Sequence, residues 1–360
     1  MRNVRNDHFG ISIAHRCIGN LNLANIKDVA KAAGVSVSTV SRVINNSASV
    51  VPEKRQAVLA AMEAMQYRPN TLARALVSNR SDCIGLLVGE IDSPFFAQLM
   101  AGVHRIVLDS GKHVIVTAGY HNPDHERESI RFLLDRRCDA LVVHSKALSD
   151  DELIELLTLD TPIIIVNRLI PGFEHRCVFL DNEYGAYLAT RHLLVKGHRN
   201  IAYIGTNIAI EDGADRVHGY RRALEEFGVG FDERKLVKAF PDEEGGHYAM
   251  AEVLSRNLGV TAVFSYNDAM AAGAITMLQD SGHRVPEEIS VVGFDDVILA
   301  RLLNPRLTTI RYPVHEMGAL AARIVLHELD AKFPQVEQPL RFTPRLIERQ
   351  SVRDVKLMPA

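Results

Sequence analysis

Eight apolar runs of strand length constrain this chain more than any other feature. They read IGLLVGE from residue 84, HVIVTAGY from 113, ALVVHS from 140, PIIIVN from 162, NIAYIG from 200, KLVKAF from 235, TAVFSY from 261 and ISVVGF from 289. Each is nearly continuous in apolar character, and stretches of helical spacing separate them. Strands buried on both faces read this way, so the pattern predicts parallel sheets covered by helices. The runs form two groups. The segment VFLDN at 178–182 separates them, and a later crossing at TTIRYP, 308–313, precedes a helix over 315–329. A chain that passes more than once between two α/β lobes makes a hinged cleft, whose ligands sit beyond the C-terminal ends of the strands.

Those strand ends carry a coherent set of side chains. The first offers Glu90, Asp92, Phe95 and Phe96, the fourth Asn167 and Arg168, the seventh Asn267 and Asp268, and the eighth Asp295 and Asp296; Arg216 lies near the start of the helix after the fifth. Carboxylates, amides, an arginine and aromatics converging on one cleft suit a neutral polyhydroxyl ligand. Asp and Asn exchange paired hydrogen bonds with neighbouring hydroxyls, and a Phe covers the apolar face of a sugar ring. Structural alternatives remain open: Asn267 and Asp296 could simply cap the next helix, and at least one of Phe95 and Phe96 belongs to the core.

Ahead of the lobes lies NIKDVAKAAGVSVSTVSRVINN. Ile26, Val29, Ala30 and Ala33 fall at helical spacing, Gly34 stops that helix, and Ser36 is placed to cap a second whose Val40, Val43 and Ile44 face the first. Helix, tight turn, helix is a DNA-reading arrangement in which the second helix enters the major groove N-terminus first. Val37, Ser38 and Arg42 then reach base edges, Arg42 by a bidentate pair to guanine, while Thr39 and its neighbours suit phosphates. Asn45 closes the DNA-binding set at the end of this helix. Pro52 opens a third helix, with Val58, Leu59, Met62 and Met65 on its buried side. The following TLARALVS has an apolar strip, Leu72, Ala73, Ala75 and Leu76, too small to fold alone. It is expected to form a hinge helix against a second subunit and DNA, with Leu76 wedged into the minor groove; a plain linker is the alternative.

The formal net charge of −3 divides into +6 on residues 1–82 and −9 on the rest, as expected when only the head meets phosphate. Cys17, Cys83, Cys138 and Cys177 show no C-x-x-C spacing, so no zinc site or disulfide framework is indicated, and no cofactor is expected. No run of about 18 apolar residues and no signal-like N-terminus is present, which predicts a cytoplasmic, nucleoid-associated chain with no membrane contact. The expected organisation is a disordered extension over 1–24, a helix-turn-helix domain over 25–69, a hinge over 70–81, and a two-lobed body over 82–360. Lobe 1 takes about 82–181 and 313–337, lobe 2 about 182–312 and 338–351.

These motifs carry a resemblance. IKDVAKAAGVSVSTVSRVINN, then YRPNTLARAL, GHRNIAYIG, RVHGY, YNDAMAAGA, VVGFDD and LTTIRYP, in this order over residues 25–351, resemble the lactose/galactose-repressor family. ALVVHSKALSDDEL and IVNRLIPGFEHRCVFLDN resemble its galactose repressor and isorepressor branch more closely still. The resemblance implies an all-α helix-turn-helix head on a periplasmic-binding-protein-like α/β body. It also implies a homodimer with paired hinge helices, double-stranded operator DNA as partner, and a small sugar, galactose first, as effector. Its ligand contacts fall on Asp92, Phe95, Asn167, Arg216, Asn267 and Asp295. Two departures stand out: Ser38 where a smaller residue is expected in the galactose branch, and the 24-residue extension. No leucine-heptad tail follows Arg349, so tetramerisation is not implied.

Two other classes compete. Residues 83–351 alone would serve as a sugar-transport binding protein, but that reading leaves residues 25–80 without a use. An enzyme needs a nucleophile elbow, P-loop, dinucleotide fingerprint or metal spacing, and none is present; His121 and His125 flank Pro123 at a turn. A regulator of the same kind answering to another sugar or to a corepressor also remains open.

Overall fold

The computed structural model describes residues 24–44, 49–67, 80–336 and 340–357. Two compact units divide the chain, with the boundary between Asn79 and Arg80. The second unit begins slightly earlier than residue 82 because Ser81 donates through both its N–H (2.7 Å) and its hydroxyl (3.0 Å) to Asp139 Oδ1.

Three helices form the described part of the first unit: α1, Ile26–Ala32; α2, Val37–Ile44; and α3, Pro52–Ala64. Asn25 and Asp28 make a reciprocal capping box at the start of α1. Gly34, at φ +65°, supplies the left-handed residue that the turn needs. Ser36 then accepts the Thr39 N–H at 3.2 Å, the expected cap of α2. Val29, Ala30, Val40, Val43, Val58 and Ala61 are buried between the helices. On α3 the expectation fails at one position. Leu59 is 52% exposed and Ala61 is buried: Val58, Ala61, Met62 and Met65 share one face at i, i+3, i+4 and i+7, and Leu59, one residue after Val58, is turned about 100° away from it.

The second unit holds two six-stranded sheets. In chain order the strands are β1, Cys83–Val88; β2, His113–Ala118; β3, Ala140–Val143; β4, Ile163–Val166; β5, Cys177–Leu180; β6, Ile201–Thr206; β7, Leu236–Ala239; β8, Ala262–Ser265; β9, Ser290–Asp295; β10, Thr308–Arg311; β11, Arg341–Phe342; and β12, Arg345–Ile347. The sheets run β11-β5-β4-β3-β1-β2 and β12-β10-β9-β8-β6-β7. Apart from the edge strand β12 all pairings are parallel. The eight apolar runs are all strands, and nearly every residue in β1, β3, β4, β6, β8 and β9 is buried. VFLDN and TTIRYP supply strands as well, β5 and β10, one in each sheet and each next to its edge strand.

The chain crosses between the lobes three times: after β5, between β10 and Val314–Leu329, and between β11 and β12. The last crossing corrects the expected boundary at residue 338. Residues 341–342 pair with β5 of the first lobe, so the final crossing lies at 343–344. The helix Val314–Leu329 packs on Pro94–Asp109 of lobe 1 through facing glycines, Gly102 and Gly318. A Cβ on Gly102 would stand 2.1 Å from the His315 carbonyl oxygen, so the two backbones meet there as only glycine permits. No described helix is long and apolar enough to cross a membrane.

Candidate functional site

The second unit carries a cleft between its lobes, at the C-terminal ends of both sets of parallel strands. About 560 Å³ of space, mouth included, is lined by Phe95, Phe96, His121, His144, Lys146, Asn167, Asp212, Arg216, Tyr266, Asn267 and Asp295, among others. Of the six expected ligand contacts, Phe95, Asn167, Arg216, Asn267 and Asp295 are thus brought together. Asp92 is not: it is exposed and lines only a second, outer chamber. The loop after β1 carries it past the inner cleft before Pro94 starts the next helix.

Backbone conformation concentrates at this place. Tyr120, His121, Asn167, Asp295 and Asp296 all have positive φ, between 51° and 113°, at or just beyond the ends of β2, β4 and β9. Side chains with a Cβ adopt that region at a cost, and such residues cluster where a fold must aim groups at a ligand.

Arg216 lies on the helix Glu211–Glu226 with 2% of its surface exposed. Its guanidinium is 3.7 Å from the centre of the Phe294 ring and 4.3 Å from that of Tyr266. It donates to Asn182 Oδ1 at 3.1 and 3.0 Å and to the Tyr266 carbonyl oxygen. These bonds leave Asp295 only a long ion-pair contact, 3.8 Å from Arg216. The Asp295 carboxylate is 8% exposed and makes no hydrogen bond among the described residues. Burial therefore outweighs Arg216 and pushes its pKa up to about 7. A buried acceptor facing a cleft and lacking a donor is what a ligand hydroxyl satisfies.

Sequence reasoning missed the groups that join the lobes. Lys146, beyond β3 of lobe 1, reaches Asp212 of lobe 2 at 2.6 Å, with side chains 2% and 7% exposed. Lys146 also donates to the Asn167 carbonyl oxygen, and Asn167 Nδ2 donates to Asp212 Oδ2 at 2.8 Å. Burial alone would raise the Asp212 pKa. Lys146 and Arg216, with the hydrogen bonds from Lys146 and Asn167, overcome it and hold the carboxyl below its ordinary value. The Lys146 loop is anchored by buried Glu126, which accepts the Ser145 hydroxyl at 2.5 Å and the N–H groups of 146, 147 and 148 at 3.2–3.3 Å. His144, pushed down to about 3 by burial and then by Lys146, is neutral and leaves its Nδ1 without a partner at the cleft. The signal for them lies at the ends of the second and third runs, HVIVTAGYH and ALVVHSK, which carry His121, His144 and Lys146 at the same strand-end position as the cleft residues of the other runs.

Other strand-end residues are structural. Asn267 accepts the Met270 N–H at 2.8 Å as the cap of Asp268–Asp280, and its amide donates to the Pro241 carbonyl at 2.8 Å, although it also lines the cleft. Asp296 caps nothing and binds Arg311 (2.8 Å) and Arg349 (2.5 Å). Arg168 ties Leu148 and Asp150, and Asp268 ties Thr309 and Val297. Phe96 is buried in the core, while Phe95 faces the cleft and meets Tyr312 edge-on at 5.1 Å.

The Asp295 shift has a measurable sign. A carboxyl whose folded pKa exceeds its unfolded value makes the fold less stable as pH rises from about 4 through about 7, since the folded form resists losing the proton. Asp268 shifts in the same direction, so the difference between wild type and Asp295→Asn isolates Asp295. The variant is expected to melt above wild type at pH 8 without ligand, with the gap closing toward pH 4. A constant gap in thermal melts across that range refutes the assignment.

In the first unit, Val37 (40% exposed), Ser38 and Arg42 face solvent on α2, and Thr39 is half-buried. Arg42 makes no hydrogen bond or ion pair among the described residues, leaving its guanidinium free for a partner. The Ser38 hydroxyl is 2.8 Å from that of Ser36. Asn45, Leu72, Ala73 and Leu76 lie outside the described residues.

Comparison with known proteins agrees with both units. Residues 25–70 match the family described as bacterial regulatory proteins, lacI family, and residues 190–352 match the periplasmic binding protein-like domain. The HTH-type transcriptional regulator GalR of Escherichia coli (strain K12) is 46% identical over 330 residues, covering 92% of this chain and 96% of that protein. The chain belongs to the LacI family. GalS of Salmonella typhimurium (strain LT2) is 44% identical, covering 92% of this chain and 97% of its own length. The structure of the lac repressor dimer bound to operator and an anti-inducer matches with a TM-score of 0.81 and 25% identity, over 92% of this chain and 99% of that one. The expected fold, a helix-turn-helix head with a two-lobed body, is that of the LacI family. This LacI-family member is a sugar-responsive, DNA-binding transcriptional repressor and not an enzyme.

Proposed function

We propose that this repressor binds a palindromic operator as a homodimer in the cytoplasm and is released by D-galactose. On this reading Val37, Ser38 and Arg42 read bases, Thr39 and Asn45 hold phosphates, and Leu72, Ala73 and Leu76 form the hinge and its minor-groove wedge. Phe95, Asn167, Arg216, Asn267 and Asp295 hold the sugar, with Asp92 at the outer rim. The observation that carries the ligand reading is Asp295, buried beside Arg216 with its acceptor oxygens unsatisfied and with aromatic rings on both sides of the cleft. The galactose-branch stretches and the 46% identity to GalR support galactose among sugars.

Sugar contacts from both lobes favour the closed arrangement, and closure shifts the point where each hinge leaves its lobe, so the paired hinges separate. Coupling of this kind is commonly about 1–3 kcal/mol, a 5- to 150-fold change in affinity. The test is binding of full-length protein to a labelled palindromic galactose-type operator at fixed salt, since phosphate contacts make affinity steeply salt-dependent. Specific binding weakened about 5- to 150-fold by galactose is the expected result. Specific binding indifferent to galactose removes galactose from the proposal, and tightening by any ligand replaces inducer with corepressor.

A further inference from the structure

The inner cleft opens into an outer chamber of about 1040 Å³, mouth included, that shares Glu90, Ser93, Phe95, Pro241, Asn267 and Asp295 with it. We infer that this chamber is a second sugar subsite, so that a disaccharide or other extended glycoside binds more tightly than the hexose that fills the inner cleft alone. The inference rests on the sugar reading above and goes beyond it in the size of the ligand.

Three observations carry it. First, two aromatic rings project into the chamber from opposite lobes: Tyr120, which follows β2 and is 56% exposed, and Phe240, which follows β7 and is 48% exposed. The strands β2 and β7 occupy equivalent edges of the two sheets, so the rings face the same opening from both sides. Large aromatics left in solvent at a cleft mouth are the platforms on which the apolar face of a pyranose rests. Tyr120 is held there by a left-handed backbone, φ +51°.

Second, acceptors outnumber donors in the polar lining, where five carboxyl groups stand beside the donors of Ser93, Tyr120 and Asn267. Glu90, Asp92, Asp242, Glu243 and Asp295 line the chamber and no Lys, Arg or His does. Asp242 spends one oxygen on the Gly245 N–H at 2.7 Å, and burial, then Asp92 and Asp242, raise the Glu90 pKa. A neutral polyol brings one O–H donor per hydroxyl.

Third, Asp295 stands at the neck between the chambers with its carboxylate buried and free of hydrogen bonds. A ring in the inner cleft that bonds to Asp295 presents its next substituent to the outer chamber. This also explains why Asp92 lines only the outer chamber: it meets the second ring, not the first.

The test measures calorimetric affinities of full-length protein for D-galactose, methyl β-D-galactopyranoside and galactosyl-glucose disaccharides of β1→4, β1→6 and α1→6 linkage. At least one disaccharide is expected to bind 10-fold or more tighter than the methyl glycoside. Tyr120→Ala/Phe240→Ala should erase that gain while leaving the galactose Kd within 2-fold; both side chains are exposed, so the fold does not depend on them. Disaccharides no tighter than the methyl glycoside, or a gain that survives the double variant, overturn the inference and leave the galactose reading standing. If galactose itself does not bind, the galactose reading falls, and the same comparison with glucose, methyl glucosides, cellobiose and maltose decides the second subsite. Absence of binding by every saccharide overturns both.

Discussion

Arg42→Ala is expected to remove operator discrimination while leaving sugar binding by the body intact. Arg42 is exposed in the last turn of α2 and has no partner among the described residues, so truncation orphans no protein group and the head stays folded. On the proposed reading, what disappears is a bidentate donor to guanine, worth about 1–3 kcal/mol per base contact. With two heads on a two-fold operator the loss is about 2–6 kcal/mol, roughly 30- to 10⁴-fold in specific affinity. Non-specific affinity falls far less, because it draws on phosphate contacts along the whole head. Arg42→Lys is expected not to restore discrimination, since a point charge cannot reproduce the planar pair of donors. Competition binding with operator and scrambled DNA at one salt concentration reads this out. An unchanged specificity ratio in Arg42→Ala moves base reading elsewhere on α2.

Asp212→Ala is expected to destabilise the body by about 3–5 kcal/mol, because it leaves the Lys146 ammonium buried without its counter-charge. It also strips the Asn167 amide of its acceptor across the cleft. The pair Lys146→Met with Asp212→Leu is expected to regain most of that loss, since apolar groups of similar volume replace buried ion pairs at little net cost. The double variant recovers stability but not the hydrogen bonds that join the lobes, so its urea midpoint should approach wild type while its sugar affinity does not. A urea midpoint for Asp212→Ala equal to wild type shows that water reaches Lys146 in solution and that the lobes are not clasped there.

Much of this architecture is legible in the sequence because its signals are local. A strand buried on both faces must be apolar throughout, so eight strands announce themselves. Gly34, Ser36 and the spacing of Val40 and Val43 likewise fix a turn and a helix face within a dozen residues. The clasp is not legible by such means: Lys146 and Asp212 are 66 residues apart, sit on different lobes and belong to no shared period. Leu59 shows a different limit: a large apolar residue beside the stripe of Val58, Met62 and Met65 reads as part of it, while the small Ala61, which the packed face includes, does not stand out. Strand-end position, in turn, does not distinguish Asp295, which faces the cleft, from the adjacent Asp296, which faces two arginines. Two successive positive-φ residues, +113° at Asp295 and +58° at Asp296, make the turn that separates them.

The third crossing, between β11 and β12, has a consequence for how the protein is made. Each sheet takes an edge strand from the last 20 residues, at 341–342 and 345–347. The ribosome therefore releases the head, whose last described residue is Tyr67, about 280 residues before Ile347 supplies the final strand of the second sheet. At about 5–20 residues per second this interval lasts roughly 15–60 s, during which the nascent chain can read DNA but has no finished lobe to sense a sugar. On the proposed dimeric reading, an operator that demands two heads at once ignores such a chain, and pairing thereby delays occupancy until the protein can be switched off.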